Sequence, residues 1–240
     1  MVSLSFEREG RYLSLRGGYI DEIGSRVEQI VTPDFIENRL LRDGKDNGHH
    51  ITVINHLEIK DGLPKTIVDD DGNEKSPSSK KKDKMFKQAQ LNLLHSILDR
   101  FGNSSEWEKP IDLGLGSTRS EDAKSYYRVV FWPFGQTIRH FVGLGTTNFH
   151  ITVGFSPRDV HQYKGPGTLL CLEEKQSCPK ELYSRLIQYV PFYYQDRHFT
   201  GALFRTGWRH GYYAQLANLS RILFQSFFRL LYNKLIGKKH

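Results

Sequence analysis

Two copies of one tetrapeptide, His50-Ile51-Thr52-Val53 and His150-Ile151-Thr152-Val153, stand 100 residues apart in this chain of 240. An imidazole titrates near neutrality, with an ordinary pKa of about 6.5. One ring of a facing pair can therefore take a proton from water while the other gives one to a leaving oxygen. A threonine two positions further on can donate its hydroxyl to a non-bridging phosphate oxygen as charge builds in the transition state. A cyclic phosphate suits such a site, because its leaving group stays tethered and water attack needs only in-line placement and proton transfer. The expectation is that His50 and His150 are catalytic, that Thr52 and Thr152 bind phosphate, and that neither metal nor cofactor takes part.

This chemistry needs strands. Side chains alternate across a strand, so His50 and Thr52 share one face while Ile51 and Val53 take the other. In the second copy His150, Thr152 and Gly154 form the open set, with Phe149, Ile151 and Val153 behind them. The spacing predicts strands over 48–59 and 148–155. Before the first lies a strand over 11–15, a helical stretch through Ile20, Ile23, Val27 and Ile30, and a helix opening at Thr32-Pro33-Asp34. Between the motifs, 61–84 reads as a polar insertion loop, with Lys80-Lys81-Lys82 a solvated charge run. An amphipathic helix over 85–101, strands over 111–115 and 126–132, and a helix opened by Pro133 follow. Helices are expected over 179–189 and 216–236. The last is rich in Leu, Ile and Phe but broken by Arg221, Arg229 and Lys234, so it is read as packing back on the domain or lying on a partner or membrane surface, not spanning one.

A single histidine on a strand is more often structural, held by a hydrogen bond at the sheet surface. The repetition and shared strand phase favour chemistry instead. Zinc is the next rival, since His49, His50, His56, His150 and His161 are available, but His49 and His50 point to opposite faces and no Cys-rich or His-Glu-x-x-His pattern supplies convergent ligands. His49 reads as a strand-edge residue. Tyr126, Tyr127, Arg128, Arg139 and Arg158 are candidates for contacts to phosphate or base.

A formal charge of +7 and a pI near 9.3 favour polyanionic partners. Two cysteines without a CxxC pair, an acidic opening with Glu7 and Glu9, and no long apolar run point to an intracellular chain, cytoplasmic or nuclear, with no secretion signal and no integral membrane span.

The paired motifs resemble those of the 2H phosphoesterase superfamily, and the order of elements over about 11–190 is similar to that family's. The stretch with Arg128, Trp132-Pro133, Gly143-Leu144-Gly145 and Phe149 to Phe155 also resembles the 2H domains attached to RNA-repair and fungal phosphatase-like proteins. The resemblance implies an α+β, bilobal, pseudo-symmetric fold in which two antiparallel sheets line a central groove, with helices outside. The chain is expected to divide into a 2H-like domain over 1–195 and an extension over 196–240 with an amphipathic basic helix; the 61–84 insertion and this tail depart from a minimal domain of that family. The implied activity is hydrolysis of a 2′,3′-cyclic phosphate or related RNA-type phosphodiester to a phosphomonoester, with an RNA end or cyclic nucleotide as partner. A catalytically idle RNA-binding or scaffold module on the same fold is the alternative.

Overall fold

Alternating apolar residues build the first sheet, from β1 (Ser5–Glu9), β2 (Tyr12–Arg16) and β3 (Ile51–Ile54), antiparallel in that order. The computed structural model describes residues 3–44, 47–68 and 74–236. Gly10, with φ of 51°, turns β1 into β2 in the left-handed region that glycine enters without strain. Leu13 and Leu15 of β2 and Ile51 and Val53 of β3 are wholly buried.

Two helices connect β2 to β3. Helix α1 (Gly18–Gly24) is shorter than the spacing predicts, and Val27 and Ile30 beyond it are exposed. Helix α2 (Pro33–Asp43) starts at its proline as expected. The 48–59 strand is a correction: β3 stops at Ile54, and α3 (His56–Asp61) begins at once. Asn55 Oδ1 accepts from the backbone N–H groups of Leu57 (2.9 Å) and Glu58 (3.1 Å), and Glu58 Oε2 accepts from the Asn55 N–H (3.0 Å). This reciprocal cap satisfies helix donors that a strand would have paired laterally.

The 61–84 loop is also corrected. It holds a short antiparallel pair, β4 (Ile67–Val68) and β5 (Glu74–Lys75), and α4 (Ser79–Phe101) begins six residues before the predicted start, with the Lys81 N–H donating to the Ser78 hydroxyl at 3.3 Å. Lys80, Lys81 and Lys82 lie exposed in its first turn; Asp69-Asp70-Asp71-Gly72 lies outside the described residues.

The second sheet is β6 (Ile111–Arg119), β7 (Lys124–Phe131) and β8 (Phe149–Ser156), antiparallel in that order, with α5 (Pro133–Phe141) between β7 and β8. Helices α6 (Lys180–Ile187), α7 (Val190–Tyr193), α8 (Arg197–Arg209) and α9 (Tyr213–Ile236) follow. Tyr183, Leu186, Phe199, Leu203 and Leu219 from this set share a core with Tyr127, Val129 and Phe131 of β7. A second core joins the two sheets: Ile51 and Val53 of β3 pack in one cluster with Phe149 and Ile151 of β8, roofed by Phe86 and Ile97 of α4 and Ile138 of α5. Helix α2 lies against β8, where Gly154 faces the Phe35 backbone and an added Cβ would come within 2.7 Å of it. Gly154 is therefore buried under α2 and not on the open face with His150 and Thr152.

The architecture is α+β, with two three-stranded antiparallel sheets and helices around them. Among the described residues no helix is long and apolar enough to cross a membrane.

Candidate active site

The two motifs have the same burial rhythm. His50, Thr52, His150 and Thr152 are half-buried, while Ile51, Val53, Ile151 and Val153 between and after them are fully buried. The pleat therefore turns each histidine–threonine pair away from the core. His150 lies within β8, whereas His50 sits one residue before β3.

Each imidazole leans on a tyrosine of the neighbouring strand. The His50 ring stacks on Tyr12 of β2, with centroids 5.1 Å apart and planes 22° from parallel. The His150 ring meets Tyr127 of β7 edge to face at 5.6 Å. Each also has a cation nearby. Arg16 Nη2 lies 3.3 Å from His50 Nδ1, and buried Lys164 places its ammonium 5.4 Å above the Tyr127 ring.

The Nδ1 partners decide the tautomers. A guanidinium only donates, so His50 Nδ1 accepts from Arg16 and the neutral ring carries its hydrogen on Nε2. A carbonyl only accepts, so His150 Nδ1 donates to the Asn148 oxygen at 3.3 Å, leaving the lone pair on Nε2. One ring thus presents an N–H and the other a lone pair.

Burial, then the Arg16 charge, lowers His50 to about 4. Burial, then Lys164, lowers His150 to about 3, and the His50 charge also acts on it, so the two rings lie within electrostatic reach. Both are neutral at pH 7.

An ionic chain from α2 joins the two surroundings. Arg42 donates to Asp43 (2.7 Å) and to Asp159 (2.7 Å), and Asp159 also accepts from Lys164 and from Ser125, both at 2.8 Å. Burial alone would raise the Asp159 carboxyl, but Lys164, Ser125 and Arg42 hold it well below its ordinary range. Tyr12, Arg16, Arg42, Asp43, Asp159 and Lys164 carry no sequence motif. The only sign was the polar row Tyr12, Ser14, Arg16 alternating with Leu13 and Leu15 on β2.

Of the candidate phosphate or base contacts, Tyr127 adjoins His150. Arg128 is spent on Asp112 (2.7 Å) and Glu28, Arg139 on Glu58 (2.7 Å) and the Val53 carbonyl (2.7 Å), and Arg158 on Asp122 (2.7 Å). Tyr126 packs on Phe35. His49 turns to Asp21, whose carboxylate accepts from its backbone N–H at 2.6 Å. Among the described residues no three His, Cys, Asp or Glu side chains converge as a metal cluster.

Searches of curated proteins and of solved structures returned no match. A family model described as "Swiss Army Knife, 2H phosphoesterase domain" matches residues 11–161, more than half of the chain, from the start of β2 to just past β8 and across both motifs. The chain belongs to the 2H phosphoesterases, a family whose domains hydrolyse phosphodiesters.

Proposed function

We propose that the protein hydrolyses a 2′,3′-cyclic phosphate or related RNA-type phosphodiester to a phosphomonoester, without a metal ion, in a groove faced by both His-x-Thr pairs. The observation that carries this reading is the opposite hydrogen bonding of the two Nδ1 atoms. His150 Nε2 accepts a proton from the attacking water as the new P–O bond forms. His50, protonated once the anionic phosphodiester is bound, gives its Nε2 proton to the leaving oxygen as the old P–O bond breaks and returns to the neutral ring. Thr52 and Thr152 donate to the non-bridging oxygens, where charge accumulates. An anionic phosphodiester near His50 raises its pKa and favours the protonated acid.

The test is turnover of a 2′,3′-cyclic nucleotide panel in EDTA. A folded His150→Ala variant should lose about 10²- to 10⁴-fold in kcat. Unchanged turnover would remove His150 from the mechanism. RNA binding that survives His50→Ala/His150→Ala, with no phosphodiester cleaved by the parent, would favour the idle module instead.

A further inference from the structure

A cavity of about 610 Å³, within the range of small-ligand sites, opens beside Asn148. On the paired strands Tyr127 lies opposite Thr152 and Val129 opposite His150, so these residues share a face. Along β8 that row continues from Thr152 through His150 to Asn148, and along β7 to Phe131; both ends line the cavity. A further wall is Phe192 and Tyr193 of α7, with Phe192 63% exposed and its ring centroid 4.7 Å from that of Phe131. Gln136 is occupied on both sides of its amide by the Thr147 backbone, at 2.6 and 3.1 Å, while Asn148, His140, Thr146, Gln195 and Asp196 are among the other polar lining residues. Helix α7 lies beyond residue 161, so this wall is added outside the segment that matches the family.

We propose that this cavity receives the nucleobase of a nucleotide substrate, stacked on Phe192 with its polar edge at Asn148. Every base has a π-face that an aromatic ring can hold, and an amide both donates to and accepts from a base edge. The placement of the phosphate rests on the phosphodiesterase reading above. The experiment is titration of the full chain with 2′-AMP and with inorganic phosphate. Phe192→Ala should weaken 2′-AMP about tenfold and leave phosphate unchanged, and Phe192→Trp should restore the nucleotide. Unaltered 2′-AMP affinity, or equal weakening of both ligands, overturns the base site. Hydrolysis of a base-free cyclic ribose phosphate as efficient as that of the cyclic nucleotide also overturns it while sparing the phosphodiesterase. Phe192-dependent nucleotide binding without any hydrolysis does the reverse.

Charge distribution carries a second, independent inference. Residues 197–240 contain eight Lys and Arg and no Asp or Glu, so against a net +7 for the chain the first 196 residues carry −1. Within this segment α9 packs Leu216, Leu219, Ile222 and Leu223 on the domain. Away from these contacts it exposes Phe224, Phe227, Phe228 and Leu231 at i, i+3, i+4 and i+7, with Arg221 three residues before Phe224 on the same flank and Arg229 on the polar side of the helix. The Phe224 and Phe228 rings are 4.3 Å apart, and the exposed Trp208 and Tyr213 form a separate aromatic pair at the start of the helix.

We infer that this face lies on an anionic phospholipid surface. Phenyl rings enter the boundary between headgroups and acyl chains while the arginines meet lipid phosphates and carboxylates, and the absence of acidic residues removes repulsion. The full chain should co-sediment with phosphatidylcholine vesicles containing phosphatidylserine, far less with phosphatidylcholine alone, and less as salt rises. Phe224→Ser/Phe227→Ser/Phe228→Ser should cut the partition about tenfold or more. Equal partition to both vesicles, no effect of the triple substitution, RNA binding through these rings without vesicle binding, or a phenylalanine-dependent dimer without it would each overturn the inference.

Discussion

At His50 and His150 the same ring meets opposite partners, a cation that can only donate and a carbonyl that can only accept. Both pKa values lie far below the ordinary 6.5, at about 4 and about 3, because burial strips the water that would solvate an imidazolium and Arg16 and Lys164 repel it. If His50 is the acid, kcat/KM for the free enzyme should fall as pH rises through about 4, since the protonated ring is then lost. Removing the Arg16 charge relieves the repulsion, so Arg16→Ala should move that descending limb to higher pH, toward the ordinary value. A pH–rate profile in which the limb stays in place would assign the acid to another group. Residue types and spacing made the histidines and threonines legible in the chain, whereas Arg16 shows only as a member of the polar row on β2 and Lys164 comes from a loop where nothing local marks it as a partner.

The elements that hold these residues were legible where hydrophobic period and punctuation agreed. Pro133 opened α5 and strict alternation marked β8. They were misread where an apolar run fits two structures: residues 55–59 continue the β3 pattern, but Asn55 and Glu58 form a capping box that starts α3. Asn55→Ala should cost about 1 kcal/mol in denaturant unfolding, from two lost acceptor contacts at the helix start. Glu58 also binds Arg139, itself on the Val53 carbonyl, so α3 and α5 are tied directly behind the first motif. If that tie only shapes the element, Asn55→Ala will reduce stability more than kcat; a comparable loss of kcat would mean that α3 positions Thr52.

For the whole molecule, His49, His50 and His150, all lowered well below 6.5 chiefly by loss of water, make folding sensitive to acid. The unfolded rings bind protons near 6.5 and the folded rings only near 4 and 3, so between these values the unfolded chain holds more protons and stability falls as pH drops. Asp159, whose carboxyl is depressed, adds a loss at lower pH as its contacts are protonated away. Thermal unfolding should show Tm declining from pH 6.5 to 4, with a shallower decline in His150→Gln; a flat Tm over this window would mean that the rings are not buried as neutral groups. The sequence by itself determined the chemistry available, the strand phase that turns each His–Thr pair away from the core, and the family, because those depend on residue type and on a period of two. Only the tertiary structure decided that Ile51 and Val53 share a core with Phe149 and Ile151, bringing the two strands together across 100 residues. It also distinguished the rings as donor and acceptor, since a tautomer is set by whichever group folding places at Nδ1, and two identical tetrapeptides hold no record of that.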